Sequence, residues 1–352
     1  MAWLIGWVPA VDRVSGDLLL RTTSRRPATI QVSAVVIDDL AVEQLGPLPW
    51  PRDRLARLVD AVHMAGASAI AIDLILAEPG QPAEDAQLAQ ALSRGPVVLA
   101  AAIDPGGKWL LPRQDLGGAT AAAHAYGEVG PDGVVRTFAA TKQANDISLP
   151  AFSLAAARLL RPDIPVTSGA TLRPEFRPAP QDLPVISAAA MLEGRVPVDE
   201  ISDRLVLIGI SATGAGDQFV VPTGPGHAPV PGVLAHASAA ASILEDRLIR
   251  RPGFLWSLTA AFILAFGVQL LRDRRGAFDL ARFSVLVIGV GATAVIAVRG
   301  GLVLIPVAAL ITSMVISALL RETQESRLAH RETGRLLQSL ISHIAPSSVV
   351  SV

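Results

Sequence analysis

The side chains in this chain best suited to holding a ligand are four aspartates and two arginines. Asp38 and Asp39 follow a β-branched run, Asp73 falls within a second apolar run, and Asp217 sits in a glycine-rich loop after a third. In parallel α/β sheets ligands collect at the carboxyl ends of the strands. Asp38, Asp39, Asp73 and Asp217, with Arg52 and Arg136 as charge partners, therefore form a candidate ligand-binding set. The same acids also suit a plainer task, which is to cap helices and pair with arginines so that loops are fixed. No histidine lies near them in sequence, so neither a metal nor any other cofactor is expected.

Other chemistry is largely excluded. The chain has no cysteine, which removes disulfides, thiolate zinc sites and catalytic thiols. Gly209 to Gly216 follows a strand and suggests a backbone anion cradle. It lacks the Lys-Ser/Thr ending of a nucleotide-binding loop and reads as a flexible connection. His227 falls in a loop, His236 in a helix and His63 on a partly exposed helix, and no nucleophile-elbow serine accompanies them. No catalytic residues are expected, and the chain is not expected to be an enzyme. A net charge of −1 without a long basic run excludes nucleic acid as a partner.

The elements that must position these groups alternate between two periodicities. Ile30 to Ile37 reads as a strand, Arg52 to Met64 as a helix with Leu55, Leu58, Val59 and Val62 on one face, and Ala69 to Leu76 as a strand buried on both faces. A helix from about Glu84 to Leu92 and a strand from Val97 to Ile103 repeat the unit. Pro131-Asp132-Gly133 marks a hairpin. Ser148 to Leu160 reads as a helix, 161 to 184 as a proline-rich excursion, Leu205 to Ile210 as a buried strand and Val233 to Ile249 as a last helix. Arg250, Arg251 and Pro252 close this domain.

Beyond Pro252 the hydropathy changes character. At 51% apolar and 17% charged residues the whole chain is too apolar for an ordinary water-soluble protein of this length. Three stretches without formal charge, at 254–271, 283–298 and 301–320, predict three transmembrane helices. Arg272, Arg274, Arg275 and Arg282 follow the first, whereas only Arg299-Gly300 separates the second from the third. By the positive-inside rule the arginine-rich side is cytoplasmic and the large domain is outside. The weak opposing signal is Arg247, Arg250 and Arg251. Met1 to Ala10 is about half the length of a span, and Asp12 and Arg13 follow at once, so residues 1–11 read as an interfacial segment or the end of an anchor that starts upstream. Arg321 to Ile344 is helical in composition, with Leu337, Leu340, Ile341 and Ile344 on one stripe, a short signalling helix or dimer seam.

Several of these segments carry a resemblance. Val35 to Asp39, Leu48-Pro49-Trp50-Pro51-Arg52, Ala65 to Asp73, Glu78-Pro79, Asp85 and Leu88 resemble the opening half of a CHASE2 domain. Pro131 to Arg136, Leu205 to Gly209, Asp217, Pro222, Pro231-Gly232-Val233 and His236-Ala237 resemble its closing half. The resemblance covers about Asp12 to Pro252. It implies an extracytoplasmic input domain of a bacterial receptor, followed by transmembrane helices and joined to an adenylate or guanylate cyclase or a kinase.

The expected architecture is thus an α/β sensor domain with a mostly parallel mixed sheet (12–252), then an all-α membrane region of three transmembrane helices (253–320), then a cytoplasmic helix and tail (321–352). The expected function is a multi-pass inner-membrane receptor module with a periplasmic domain. Its expected partners are a small-molecule or envelope signal, membrane lipid, a second copy, and a cytoplasmic output protein or domain. The alternative is the sensor half of a cyclase or histidine kinase, since Ile344 to Val350 faintly resembles the start of a cyclase domain.

Overall fold

The computed structural model describes residues 2–23, 31–117, 121–224, 228–270, 280–301 and 303–344. The chain divides into two compact units, one of residues 24–250 and one that joins 1–23 to 251–352. The first unit holds the sheet and the second the long apolar helices.

In chain order, α1 (Ala2–Thr23) precedes β1 (Val32–Ile37), α2 (Asp39–Leu45), α3 (Arg52–Met64), β2 (Ala69–Ile72), α4 (Pro82–Leu92) and β3 (Val97–Ile103). The middle is β-rich, with β4 (Trp109–Leu110), β5 (Ala121–His124), β6 (Glu128–Val129), β7 (Val135–Ala139), β8 (Thr141–Ala144) and β9 (Ile147–Pro150). Then come α5 (Phe152–Leu160), β10 (Thr171–Leu172), β11 (Val185–Ser187), α6 (Ala188–Leu192), β12 (Leu205–Ile210), β13 (Gln218–Phe219), β14 (Val230–Pro231) and α7 (Gly232–Leu244). The helical unit adds α8 (Phe254–Gln269), α9 (Leu280–Gly301) and α10 (Val307–Ile344).

The main sheet runs β11-β1-β12-β2-β3, with β5 parallel and β4 antiparallel beside β3. It is mixed but mostly parallel. β12 arrives from far downstream and slots between β1 and β2, placing Val36 opposite Gly209 and Ile208 opposite Ile72. Every residue of β1 and β2 is buried, as strands covered on both faces require. The alternation splits them cleanly. Val35, Ile37, Ile70, Ile72, Val206 and Ile208 join the core under α3 and α4, whereas Ala34, Val36, Ala69, Ala71, Leu205 and Leu207 join the core under α5 and α7. Alanine dominates the second side, and there α7 comes close. A Cβ on Gly209 would lie 2.6 Å from Val233 Cβ, so only glycine lets the strand and helix meet.

Several expected boundaries move. The strand expected to Leu76 ends at Ile72, and Leu74 to Leu76 line a cleft instead. The helix expected from Ser148 is replaced by β9 until Pro150, and α5 starts at Phe152. The last helix stops at Leu244 rather than Ile249, and Glu245 caps it. The excursion 161–184 is tied down by a buried ion pair, with Arg247 Nε donating to Glu175 Oε2 at 2.6 Å. The hairpin at Gly130–Val134 forms as expected, between β6 and β7.

In the helical unit α1 does not stop at Asp12. It continues to Thr23 and belongs with the C-terminal helices, which shifts the expected boundary from between 11 and 12 to after Thr23. The reason is local. Asp12 Oδ1 accepts the Ala308 backbone N–H at 2.6 Å, so the acid that looked like the end of an apolar segment caps the start of α10. α8 packs on α10 through small residues one turn apart. Ser317 Oγ donates to Ala265 O at 2.8 Å and Ser313 Oγ to Ala261 O at 3.4 Å, the close approach that small side chains permit in apolar surroundings.

Among the described residues two helices, α9 and α10, are long and apolar enough to cross a membrane. α8 has 16 residues, about 24 Å of rise, short of the roughly 20 residues of a full span. The expected break at Arg299-Gly300 lies inside α9, and the last apolar helix begins at Val307 rather than Gly301. Arg272, Arg274 and Arg275, on which the orientation argument rests, lie outside the described residues, as do His227 and 345–352.

Candidate functional site

The six expected site residues do not converge. Asp38 is the N-cap of α2, accepting the Ala41 N–H at 2.9 Å and the Ser187 hydroxyl at 2.8 Å. Asp39 takes the Thr213 N–H and hydroxyl, both at 2.8 Å, and so holds the loop after β12. Those hydrogen bonds lower its pKa. The two acids at the end of β1 are therefore caps and loop ties.

Neither arginine pairs with the expected acids. Arg136, buried, forms a bidentate pair with Asp132 at 2.8 Å for each bond, and this holds Asp132 at a pKa of about 2. That pair stiffens the hairpin between β6 and β7. Arg52 turns instead to the segment after β2.

Asp73 and Asp217 do interact. Burial, with the charge of Asp217 next in importance, pushes the Asp73 carboxyl up to about 7. The Asp217 carboxylate lies against the start of α7, where a Cβ on Gly232 would stand 2.3 Å from either oxygen. His236, one turn further along α7, is wholly buried with its Nε2–H donating to Ala125 O at 3.1 Å. Burial drives its pKa down to about 4, against the pull of Asp217. Phe138, Phe152 and Phe219 surround the imidazole at 5.3 to 5.6 Å between ring centroids. His124 behaves alike: it is buried, hydrogen-bonded to Ala139 O at 3.0 Å and pushed down to about 4 by burial. Both histidines are thus neutral. Among the described residues no group of three or more acids and histidines is arranged to hold a metal ion.

Among the described residues a cleft of about 860 Å³ lies at the carboxyl ends of β1, β12 and β2, on the side of α3 and α4. Ile37 and Ile210 form its floor from the strand ends, and Leu74, Ile75 and Leu76 form one wall. Leu48 to Arg52 form the other wall, and Glu78 to Gln81, with Glu84, form the rim. Of the six expected residues only Arg52 lines it.

Arg52 holds the rim in place. Its guanidinium donates to Glu78 O at 3.0 Å and lies 3.6 Å from Asp85, its backbone N–H meets Glu84 Oε2 at 3.2 Å, and Asp85 accepts the Gly80 N–H at 3.0 Å. Gly80 must be glycine there, since a Cβ would stand 2.7 Å from Asp85 and 2.8 Å from the Arg52 side chain. On the opposite wall Trp50 is buried, bonds Gly46 O at 2.9 Å through its indole N–H, and carries the Arg54 guanidinium 5.4 Å above its ring. A mostly apolar lining with a few fixed polar groups is the usual build of a small-molecule site. The carboxylates of Glu78 and Glu84, the amide of Gln81 and the guanidinium of Arg52 are the polar side-chain groups here.

The cleft lies at strand ends, as the expected set does, but its lining differs from that set. Leu48, Trp50, Leu74 to Leu76 and Ile210 sit in loops and strand ends whose apolar character reads as core, and Glu78 and Gln81 sit in a loop without a pattern of their own. One signal was present: Leu48 to Arg52, Glu78-Pro79 and Asp85, the segments that carry the resemblance, meet in space around this cleft.

A family model described as CHASE2 domain matches residues 1–271. The match takes in α1, the whole sheet unit and α8. No curated protein and no solved structure gives a significant match.

Proposed function

The chain belongs to the CHASE2 domain family, a family of extracytoplasmic, non-catalytic sensory domains, and on that premise we propose that it is a receptor module that binds a small molecule in the cleft at the ends of β1, β12 and β2. The observation that carries this reading is the cleft itself, built by the segments that mark the family and placed where parallel sheets hold their ligands. Apolar walls with Glu78, Gln81 and Glu84 at the mouth suit a small, largely apolar molecule that carries a hydrogen-bond donor or a positive charge.

In this reading the sheet unit is periplasmic, α9 and α10 cross the inner membrane as full-length spans, the shorter α8 crosses it within the uncharged stretch 254–271, and the apolar start of α1 enters the bilayer beside α10. The end of α10 hands the signal to a cytoplasmic output, either a partner or a linked domain such as a cyclase or kinase. Binding transmits a signal only if the ligand prefers one of two arrangements of the helices.

The test is a thermal-shift screen of small-molecule mixtures on the full chain and on Ile75→Trp, which fills the cleft from a half-exposed wall. A hit that stabilises the wild type by several degrees and leaves the variant unmoved is the expected result. A hit that stabilises both equally places the ligand elsewhere. Single cysteines at Lys108 and Gln338, in a chain with none of its own, report orientation: an impermeant maleimide should label only the first in intact cells.

A further inference from the structure

The cleft at the ends of β1, β12 and β2 is unbalanced in charge. Of the residues that line it, Arg52 is the cation and Glu78 and Glu84 are the anions. Arg52 is already committed, since its guanidinium donates to Glu78 O at 3.0 Å and lies 3.6 Å from Asp85 behind the rim. With Asp85 included, Glu78, Glu84 and Asp85 stand against a single guanidinium, and the excess is negative. Glu78 is exposed at the mouth, whereas Glu84 is half-buried and accepts the Arg52 backbone N–H at 3.2 Å.

Asp85 supplies a second, independent sign. It is 5% exposed, and its Oδ2 accepts the Gly80 N–H at 3.0 Å. Among the described residues its Oδ1 accepts no hydrogen bond, because Arg52 Nε stands 3.6 Å away, beyond bonding distance. A buried carboxylate oxygen without a donor is costly. Gly80 leaves room beside it at the rim, since a Cβ there would stand 2.7 Å from that same oxygen. The rim therefore offers a buried acceptor next to two carboxylates, above an apolar floor of Ile37 and Ile210.

We propose that the ligand of this cleft is an organic cation with N–H donors, a primary ammonium or an amidinium on an apolar body. The proposal rests on the cleft being the ligand site and adds the chemical class. The charged end lies at the rim, donating to Asp85 Oδ1 beside Gly80 and balancing Glu78 and Glu84. The apolar body lies against Ile37, Leu48 and Ile210. An anion meets the excess negative charge and is rejected. A neutral molecule of the same shape leaves that excess unbalanced and binds more weakly.

The charge of the cleft can be measured before any ligand is known. Ile75 lines it at 42% exposure, and the chain has no cysteine of its own. In the detergent-solubilised full chain carrying Ile75→Cys, rates of modification by trimethylammonioethyl and sulfonatoethyl methanethiosulfonate are compared at low salt. Their ratio, divided by the ratio for free mercaptoethanol, reads the local potential, and about one kT of negative potential raises it about sevenfold. The expected value is at least about fivefold, falling by at least about twofold when Glu78→Gln or Asp85→Asn is added and approaching unity at about 1 M salt. Glu78→Gln alters an exposed side chain and so decides the matter even where Asp85→Asn fails to fold. A ratio near unity, or one that Glu78→Gln leaves unmoved, overturns the proposal. Hits from the thermal-shift screen separate this proposal from the cleft reading beneath it. Amines that stabilise the wild type and not Ile75→Trp, and that bind at least about fivefold more tightly than alcohols of the same skeleton, support the class. Neutral or anionic hits that are lost in Ile75→Trp overturn the class and leave the cleft as the ligand site. Hits that Ile75→Trp does not touch remove the cleft reading and this proposal with it.

Discussion

Replacing His236 by phenylalanine should remove a defined part of the acid sensitivity of the sheet unit. The imidazole is fully buried among Phe138, Phe152 and Phe219. Its Nε2 carries the proton given to Ala125 O, and its Nδ1 has no partner. The folded-state pKa is depressed from 6.5 to about 4, so the unfolded chain takes up the proton first. The stability is present above the unfolded value and is lost as pH falls toward 4. At about 1.4 kcal/mol per pKa unit, one such histidine costs about 2 kcal/mol between pH 7.5 and pH 5. His124, depressed to about 4 by the same burial, adds a similar loss. Asp73, raised to about 7, works the other way and returns about 2.5 kcal/mol over the same interval. The wild-type profile is therefore a partial cancellation, and the difference between wild type and variant is the informative quantity. His236→Phe forfeits the bond to Ala125 O, costing about 1 kcal/mol at pH 7.5, but should be the more stable protein at pH 5. Urea unfolding of the detergent-solubilised chain, followed by tryptophan fluorescence through Trp50 and Trp109, measures both. A variant whose stability changes with pH as the wild type's does, to within about 0.5 kcal/mol, would refute the assignment of a neutral, buried imidazole.

Asp73→Asn tests the opposing group. The stabilisation from a raised carboxyl is full below 3.8 and is lost as pH rises through about 7. The substitution should flatten the decline between pH 6 and pH 8 by about 1.4 kcal/mol in the same unfolding assay, and an unchanged slope would contradict it. Arg247→Met strips Glu175, which is 0% exposed, of its guanidinium partner and should cost about 3–5 kcal/mol. Adding Glu175→Gln should recover part of that loss, whereas a double variant as unstable as the sum of its parts would mean that the pair is not coupled.

The residues show how much could be read from one dimension. α3 spans Arg52–Met64 and β3 spans Val97–Ile103, as their periodicity indicates, because one face of the helix and both faces of the strand are buried by neighbours close in sequence. Short pieces such as β4, β8 and α2 were missed, since two to seven residues carry too little pattern to outweigh loop composition. The site was half legible. The candidate cleft lies at strand ends, but Asp38 and Asp39 form a cap and a loop tie, and Arg52 binds a backbone carbonyl and Asp85.

By itself the sequence determined the family, the α/β class and the apolar character of the C-terminal helices. Each of these is a matter of residue type at fixed spacing, which is set by the 2.0 and 3.6 periods of the backbone. Tertiary structure alone decided that β12 enters between β1 and β2, that α1 runs on to cap α10 through Asp12, and that Glu78, Trp50 and Ile210 share one cleft. Those outcomes depend on which apolar faces and unpaired backbone groups meet across long stretches of chain, and no local spacing encodes such pairings.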